Sequence, residues 1–491
     1  MGGTKRPRPE DGEGDNTGDG ASGQRIVSGG HPHGVKPWGT LMFGNPQGYR
    51  QAVESRKETL GSFSRLDDAL ILTVLGSFNA KELCALCCAS SAFLAYASHE
   101  ELWRALAFEE FRTGDTRFFP SWKETYFRNR LRGRGQQVES SWRPATFARS
   151  KPVYSDLLYQ SYYCANLEFP AEWTERENVP RRSGLSLEDF QRLYERPNQP
   201  VILTDVVRSW PAFERWGSRS YLNKAFENQL VHVGGYQFTM AQYYEYADEA
   251  GDEMPLYLFD KRFAEKSPRL AEDYHVPRAF SEDLFGVLGD CRPDYRWLIV
   301  GPKRSGSSFH KDPNATSAWN AVISGRKKWI LFPPDFTPPG VHASDCGLHV
   351  ATSVSIIEWF LNFYDEARDS EVQPRECVVE AGECIFVPRG WWHLVLNLEE
   401  SVAITQNFAS SVNVNHVLRY VENADLVSGL EQEKRAGLHS AFKEALRLHR
   451  PEVLEGAARR GPKAKGRLAG AFEKGGEGAE EKESFRFNFL G

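Results

Sequence analysis

The amino-acid sequence predicts an α+β protein: a jelly roll, or double-stranded β-helix, of short antiparallel strands with flanking helices, preceded by a small all-α module. Three observations predict it. Between about residues 255 and 410, short alternating strands are separated by turn residues, the pattern of an antiparallel barrel. From Leu66 to Phe111, LDDALILTVLGSFNAKELCALCCASSAFLAYASHEELWRALAFEEF, apolar residues recur at helical spacing. Finally, His310-Lys311-Asp312 and the later His393 supply two imidazoles and one carboxylate, which neighbouring strands of such a barrel can aim into one mouth.

At 491 residues the chain has room for two or three domains and at least one sizeable core. Hydrophobic content of 41% with 13 tryptophans is that of a globular protein. A formal net charge of −6 provides no global basic field, so no direct nucleic-acid site is evident and any basic partner has to bind locally. There is no apolar N-terminal signal stretch and no run long enough to span a bilayer, so neither secretion nor membrane insertion is expected. The eight cysteines sit mostly in apolar segments and read as reduced structural residues. Cys84, Cys87 and Cys88 superficially suggest a metal knuckle, but no partner pair stands at zinc spacing, and they read as core.

The chain divides by composition. Residues 1–35 are Gly-, Asp- and Arg-rich and read as a disordered tail; 36–64 read as a linker. Lys5-Arg6-Pro7-Arg8 serves either nuclear import or merely solvation. In the helical module, 65–112, Leu70, Val74 and Leu75 form the first apolar stripe, Leu83, Leu86 and Cys87 the second, and Asn79 is the expected N-cap between them. A third short helix is expected around Glu101–Phe108. Residues 113–184 form an aromatic-rich connecting layer that includes Phe118, Trp122, Tyr126, Trp142 and Trp173. The catalytic domain is expected over 185–412, C-terminal helices over 413–450 and a second disordered tail over 451–491, with basic residues at Arg459-Arg460 and Lys463–Arg467.

In a strand, residues two apart point the same way, so His310 and Asp312 share a face and Lys311 faces away. His393 lies in CIFVPRGWWHLVLNL, after the tight turn Pro388-Arg389-Gly390. Such a facial triad suits Fe(II) and also accepts Zn or Ni. A structural zinc site wants a fourth ligand; none stands at suitable spacing, so an open, reactive centre is expected.

Two resemblances extend this reading. Leu66-Asp67-Asp68, the apolar ladder to Phe78, Leu83 to Ser90, and Leu102-Trp103 resemble an F-box, the module that docks on the Skp1 adaptor of cullin ubiquitin ligases; Asp67 stands where that module usually has proline. A generic helical packing module is the alternative. PLYLFD (255–260), DYRWLIVGPKRSG (294–306), TSAWNAVISGRKKW (316–329), VPRGWWHLVLNLE (387–399) and AITQNFAS (403–410) resemble the cupin-like JmjC domain of the Fe(II)/2-oxoglutarate oxygenases. The branch includes the animal protein once called the phosphatidylserine receptor and plant nuclear arginine demethylases, the latter also through SIIEWFLNFYDEARD (355–369).

The resemblance implies Fe(II) on His310, Asp312 and His393, 2-oxoglutarate as co-substrate and O2 as oxidant. It implies that Lys327 receives the 5-carboxylate with hydroxyls from Tyr257 and Thr405, that Asn320 lies near the keto acid, and that Ser307 keeps a hydroxyl where the animal protein has threonine. The expected partner is a basic nuclear peptide such as a histone tail, and the expected location the nucleus. Demethylation of methyl-arginine through N-methyl hydroxylation, stable lysyl 5-hydroxylation, and a non-enzymatic role as a ubiquitin-ligase adaptor remain as alternatives.

Overall fold

The computed structural model describes residues 37–38, 46–111, 116–135, 153–344 and 350–459. The expected first tail, its basic cluster, Trp142, and the basic residues beyond 459 lie outside them. Five helices come first: α1 (Pro46–Leu60), α2 (Asp68–Leu75), α3 (Ala80–Cys87), α4 (Ser91–Ala97) and α5 (Glu100–Glu110). Asp67 caps α2 by accepting from Leu70 N at 2.7 Å, and Asn79 caps α3 in a reciprocal box with Glu82. Helix α2 is apolar nearly all round, so periodicity does not choose between adjacent stripes. Packing on α4 buries Ile71 and Leu75 and leaves Leu70 (50%) and Val74 (38%) exposed, contrary to the stripe expected.

The segment expected as a linker is instead a structural part of this module. Helix α1 packs on α4; its Arg56 pairs with Asp68 and donates to the Leu66 carbonyl at 2.6 Å. Asp68 also accepts from Tyr96 and Ser155, each at 2.6 Å. The three nearby cysteines are only partly core, since Cys88 is exposed and Cys84 and Cys87 half-buried. Helices α6 (Trp122–Gly133) and α7 (Asp156–Asn166) follow. Trp122, fully buried, donates through Nε1 to Asp252 at 3.1 Å, and Phe108 stacks on Tyr236. The helical module is therefore cemented to the domain that follows it.

That domain contains β1 (Val201–Leu203), β2 (Val231–Val233), β3 (Tyr236–Phe238), β4 (Leu258–Asp260), β5 (Arg296–Gly301), β6 (Gly306–His310), β7 (Ser317–Ser324), β8 (Arg326–Phe332), β9 (Arg375–Glu380), β10 (Cys384–Val387), β11 (Trp392–Asn397) and β12 (Ser401–Phe408). The larger sheet runs Arg181–Arg182, β1, β10, β7, β12, β5, β4, β2, β3; the smaller runs β9, β8, β11, β6. All pairings are antiparallel except that of Arg181–Arg182 with β1. This is the expected jelly roll. Trp329, Leu331, Ile385, Val387 and Val395 fill the space between the sheets.

The outer face of the small sheet is covered by α8 (Ile356–Asp369), whose Ile356, Trp359 and Phe360 meet Ile330, Phe332 and Leu394. After the barrel come α9 (Val414–Tyr420), α10 (Leu438–His449) and α11 (Pro451–Arg459). Helix α11 begins where a tail was expected. Val453 is buried against the C-terminal core, and Arg450 binds Glu282 at 3.0 Å.

Candidate active site

Strand pairing builds the site. His393 on β11 and His310 on β6 are direct cross-strand partners, with ring centroids 4.1 Å apart. Between them and the next pair, Val395 with Ser307, β6 holds one extra residue. This bulge turns both Ser307 and His310 inward although they are three apart, and sends Phe309 outward into the core under α8. Strand β6 ends at His310. Asp312 follows in extended conformation (φ −59°, ψ 144°), before the Pro313–Ala315 turn, so the two-residue alternation still holds.

The ligand atoms of His310, Asp312 and His393 all lie within 4.8 Å of one another, and theirs is the cluster able to hold a metal among the described residues. Each imidazole directs Nδ1 at a backbone carbonyl two residues back, His310 at Ser308 (2.8 Å) and His393 at Trp391 (3.1 Å). Such a bond fixes Nε2 as the basic nitrogen of each ring. Burial pushes both imidazoles down to about 4, the His310 ring being lowered further by His393 and opposed by Asp312. They are neutral at physiological pH. Burial also raises the Asp312 carboxyl, against His310 and the side chain of Asn407, and Asp312 Oδ2 is buried with no hydrogen-bond partner. Two neutral imidazoles and an unsatisfied carboxylate oxygen fit a divalent cation.

Deeper between the sheets lies a second feature. Strand β8 alternates: Arg326 is on the surface with Glu399, Lys327 points inward with Trp329 and Leu331, and Lys328 points outward to Glu376 at 3.0 Å. Both lysines are fully buried, but only Lys328 has a carboxylate partner. Lys327 Nζ instead donates to Tyr257 Oη at 2.6 Å, and burial alone lowers it to about 7. A buried cation without an anion costs several kcal/mol. The chamber therefore fits an anionic ligand group at Lys327.

The remaining expected residues fall around the same interior. Asn320 and Thr405 are cross-strand partners, and Asn320 Oδ1 is buried without a partner. Thr405 Oγ1 donates to the Trp319 carbonyl at 2.8 Å, so its proton is already used. Ser307 is buried beside the triad strand. Trp391 and Trp392 are core residues.

Comparison with known proteins now adds to this geometry. Residues 237–414 match the model of the cupin-like domain. The chain is 48% identical over 447 residues to arginine-specific demethylase JMJ22 of Arabidopsis thaliana, covering 90% of this chain and 86% of that one. It is 37% identical over 299 residues to the bifunctional arginine demethylase and lysyl-hydroxylase psr-1 of Caenorhabditis elegans, covering 57% and 71%. The chain belongs to the cupin-like JmjC oxygenases. A more distant member, the 2-oxoglutarate and iron-dependent oxygenase JMJD4 of Gallus gallus, is 28% identical over 307 residues, 55% of this chain and 67% of that one.

Two residues of this JmjC site escape sequence reasoning. Asn397 is the cross-strand partner of Lys327; its side-chain amide donates to Ser305 Oγ (2.8 Å) and lies close enough to Tyr257 to oppose the rise of its hydroxyl. Asn407 holds Asp312 and donates to Thr316 Oγ1 at 2.9 Å. Both sit in strands whose inward alternation was legible, and an inward Asn among aliphatics was the available signal.

Proposed function

We propose that this JmjC dioxygenase demethylates methyl-arginine in protein substrates, histone tails foremost, by hydroxylating the N-methyl group. The carrying observation is the pairing of an unsatisfied triad carboxylate with a buried, anion-free Lys327 in one barrel interior. His310, Asp312 and His393 hold Fe(II). Lys327 with Tyr257 receives the 5-carboxylate of 2-oxoglutarate, while Asn320, Thr405 and Ser307 line the space between. Bound iron, 2-oxoglutarate and O2 together supply the oxidation, in which the keto acid becomes succinate and CO2 and one oxygen atom enters a substrate C–H bond. The chain contributes positioning. The Nδ1 bonds orient the imidazoles, Asn407 orients Asp312, and the Trp329–Leu331–Val395 layer keeps water from the buried end. A hydroxylated N-methyl group then loses formaldehyde.

Lysyl hydroxylation is the second enzymatic reading, supported by the dual name of the psr-1 relative. Succinate formation by Fe(II)-loaded protein on methyl-arginine and lysine peptides tests both. Loss of CH2 per methyl supports demethylation, and gain of one O supports hydroxylation. Peptide masses unchanged by turnover overturn both.

Tyr257 also yields a test. A Cβ at Gly301 would collide with Ser305 Oγ and stand 2.5 Å from the Tyr257 ring, so glycine is what leaves room for both, including the ring beside Lys327. Gly301→Ala is expected to weaken 2-oxoglutarate binding about tenfold, by loss of one charge-assisted hydrogen bond. Unchanged affinity by calorimetry removes Tyr257 from the site.

The F-box reading is supported by the exposed Leu70 and Val74 on α2. Leu70→Asp is expected to abolish co-purification with Skp1 and leave the melting temperature in place. Leu75→Asp is expected to unfold the module, because Leu75 is 1% exposed. A wild-type chain that captures no Skp1 ends this reading. Action on histones places the protein in the nucleus, and no described helix is long and apolar enough to cross a membrane. Cytoplasmic retention of the full-length chain overturns the nuclear assignment.

A further inference from the structure

Two arginines and a histidine line the cleft that also contains the triad, and the charges of Arg389 and Arg419 both reach His416. Arg389 stands in the Pro388–Gly390 turn, tied down where Asn198 Nδ2 donates to the Arg389 carbonyl (3.2 Å) and Trp391 Nε1 donates to the Asn198 carbonyl (2.8 Å). His416 and Arg419 lie on one face of α9, three residues apart. Helix α9 packs on the Pro313–Ala315 turn that directly follows Asp312. His416 and Arg419 are exposed, Arg389 is half-buried, and all three line the cleft with the triad.

These residues have little countercharge. Partial desolvation inside the cleft, then the positive fields of Arg389 and Arg419, push the His416 imidazole down although the residue keeps access to solvent, and no carboxylate opposes them. The field of Asp335 reaches Arg389 without ion-pair contact, and Glu422, one turn from Arg419, faces His439 at 3.7 Å. Among the described residues neither Arg389 nor Arg419 forms an ion pair with a carboxylate.

We propose that Arg389, Arg419 and His416 form an anion subsite, which takes an anionic side chain of the protein substrate, a phosphoserine phosphate or a carboxylate, near the residue offered to the triad. The subsite rests on the reading of this protein as a protein oxygenase. Two guanidinium forks and an imidazole match the several acceptor oxygens of one phosphate. The net charge of −6 argues for a small local anion rather than a nucleic-acid backbone, which needs a continuous basic track.

The test uses the full chain and fluorescent methyl-arginine peptides carrying serine, phosphoserine or glutamate at each of several spacings from the arginine. Phosphoserine at one preferred spacing is expected to tighten Kd about tenfold in anisotropy titrations, and glutamate less. Arg389→Gln and Arg419→Gln each remove most of that gain, and Arg419→Lys keeps part of it; Arg419 is exposed, so its variants keep the melting temperature. No gain at any spacing overturns the proposal, as does a gain that survives the double glutamine variant. Equal gain at all spacings, competed by a single-stranded RNA of like charge, also overturns it by showing only diffuse attraction. Succinate formation with unphosphorylated peptides independently tests the oxygenase reading, so the two failures are distinguishable.

Discussion

Lys327→Met is expected to abolish 2-oxoglutarate-dependent turnover while making the protein more stable. Lys327 is fully buried with a tyrosine hydroxyl as its partner and no carboxylate in reach among the described residues. Replacing such a cation by an isosteric apolar chain removes a desolvation cost, a gain on the order of 1–4 kcal/mol. The 5-carboxylate of 2-oxoglutarate, which the proposed function puts at Lys327, would by contrast lose that counter-ion. Breaking a buried pair costs about 3–5 kcal/mol, or roughly two to four orders of magnitude in Kd. Calorimetry and thermal melting read the two effects separately, and a Met variant that binds 2-oxoglutarate normally removes Lys327 from the site.

The same residue sets a pH dependence. Burial lowers Lys327 to about 7, below the ordinary 10.5 of an unfolded lysine. Between these values the unfolded chain holds more protons than the folded one, so this group's contribution to stability rises with pH from about 7 to 10.5. Anion binding needs the charged amine. With 2-oxoglutarate at Lys327 as proposed, affinity is therefore expected to fall as pH rises above about 7, with uptake of a proton on binding, and the Met variant is expected to lack this dependence.

His310→Ala is expected to reduce divalent-metal affinity by at least about 100-fold and to eliminate turnover without unfolding the barrel. The imidazole lies opposite His393 at the end of β6, and the hydrophobic layers on both sides of the sheet do not include it. Mn(II) titration followed by electron paramagnetic resonance measures the loss. Retained metal affinity assigns the ion elsewhere and overturns the triad.

Alternation along strands made the site legible. Lys327 is reached through the family resemblance; the structure adds that it shares a parity with Trp329 and Leu331, on the face of β8 that looks into the barrel. The same parity linked His310 to Asp312. Ser307 breaks it, because a bulge of one residue depends on how β6 pairs with β11 and leaves no periodic trace. Asn397 and Asn407 were missed for a related reason: their value lies in contacts to Tyr257 and Asp312, far away in sequence.

Helix α2 shows the opposite limit. Its residues are apolar nearly all round, so sequence alone identified a helix there and Asn79 as the N-cap of the next, but favoured Leu70 and Val74 as buried. Only packing against α4 decided which stripe stays outside. Likewise, the polar character of 46–60 concealed α1, whose place depends on Arg56 reaching Asp68. The sequence by itself pointed to the barrel and to the shared face of His310 and Asp312, because strand period and residue chemistry are local properties; Lys327 came through the family resemblance, and only the structure showed it buried. The tertiary structure decided which helix face is exposed, where the bulge falls, and which cations lack partners, because each of these depends on what another part of the chain brings alongside.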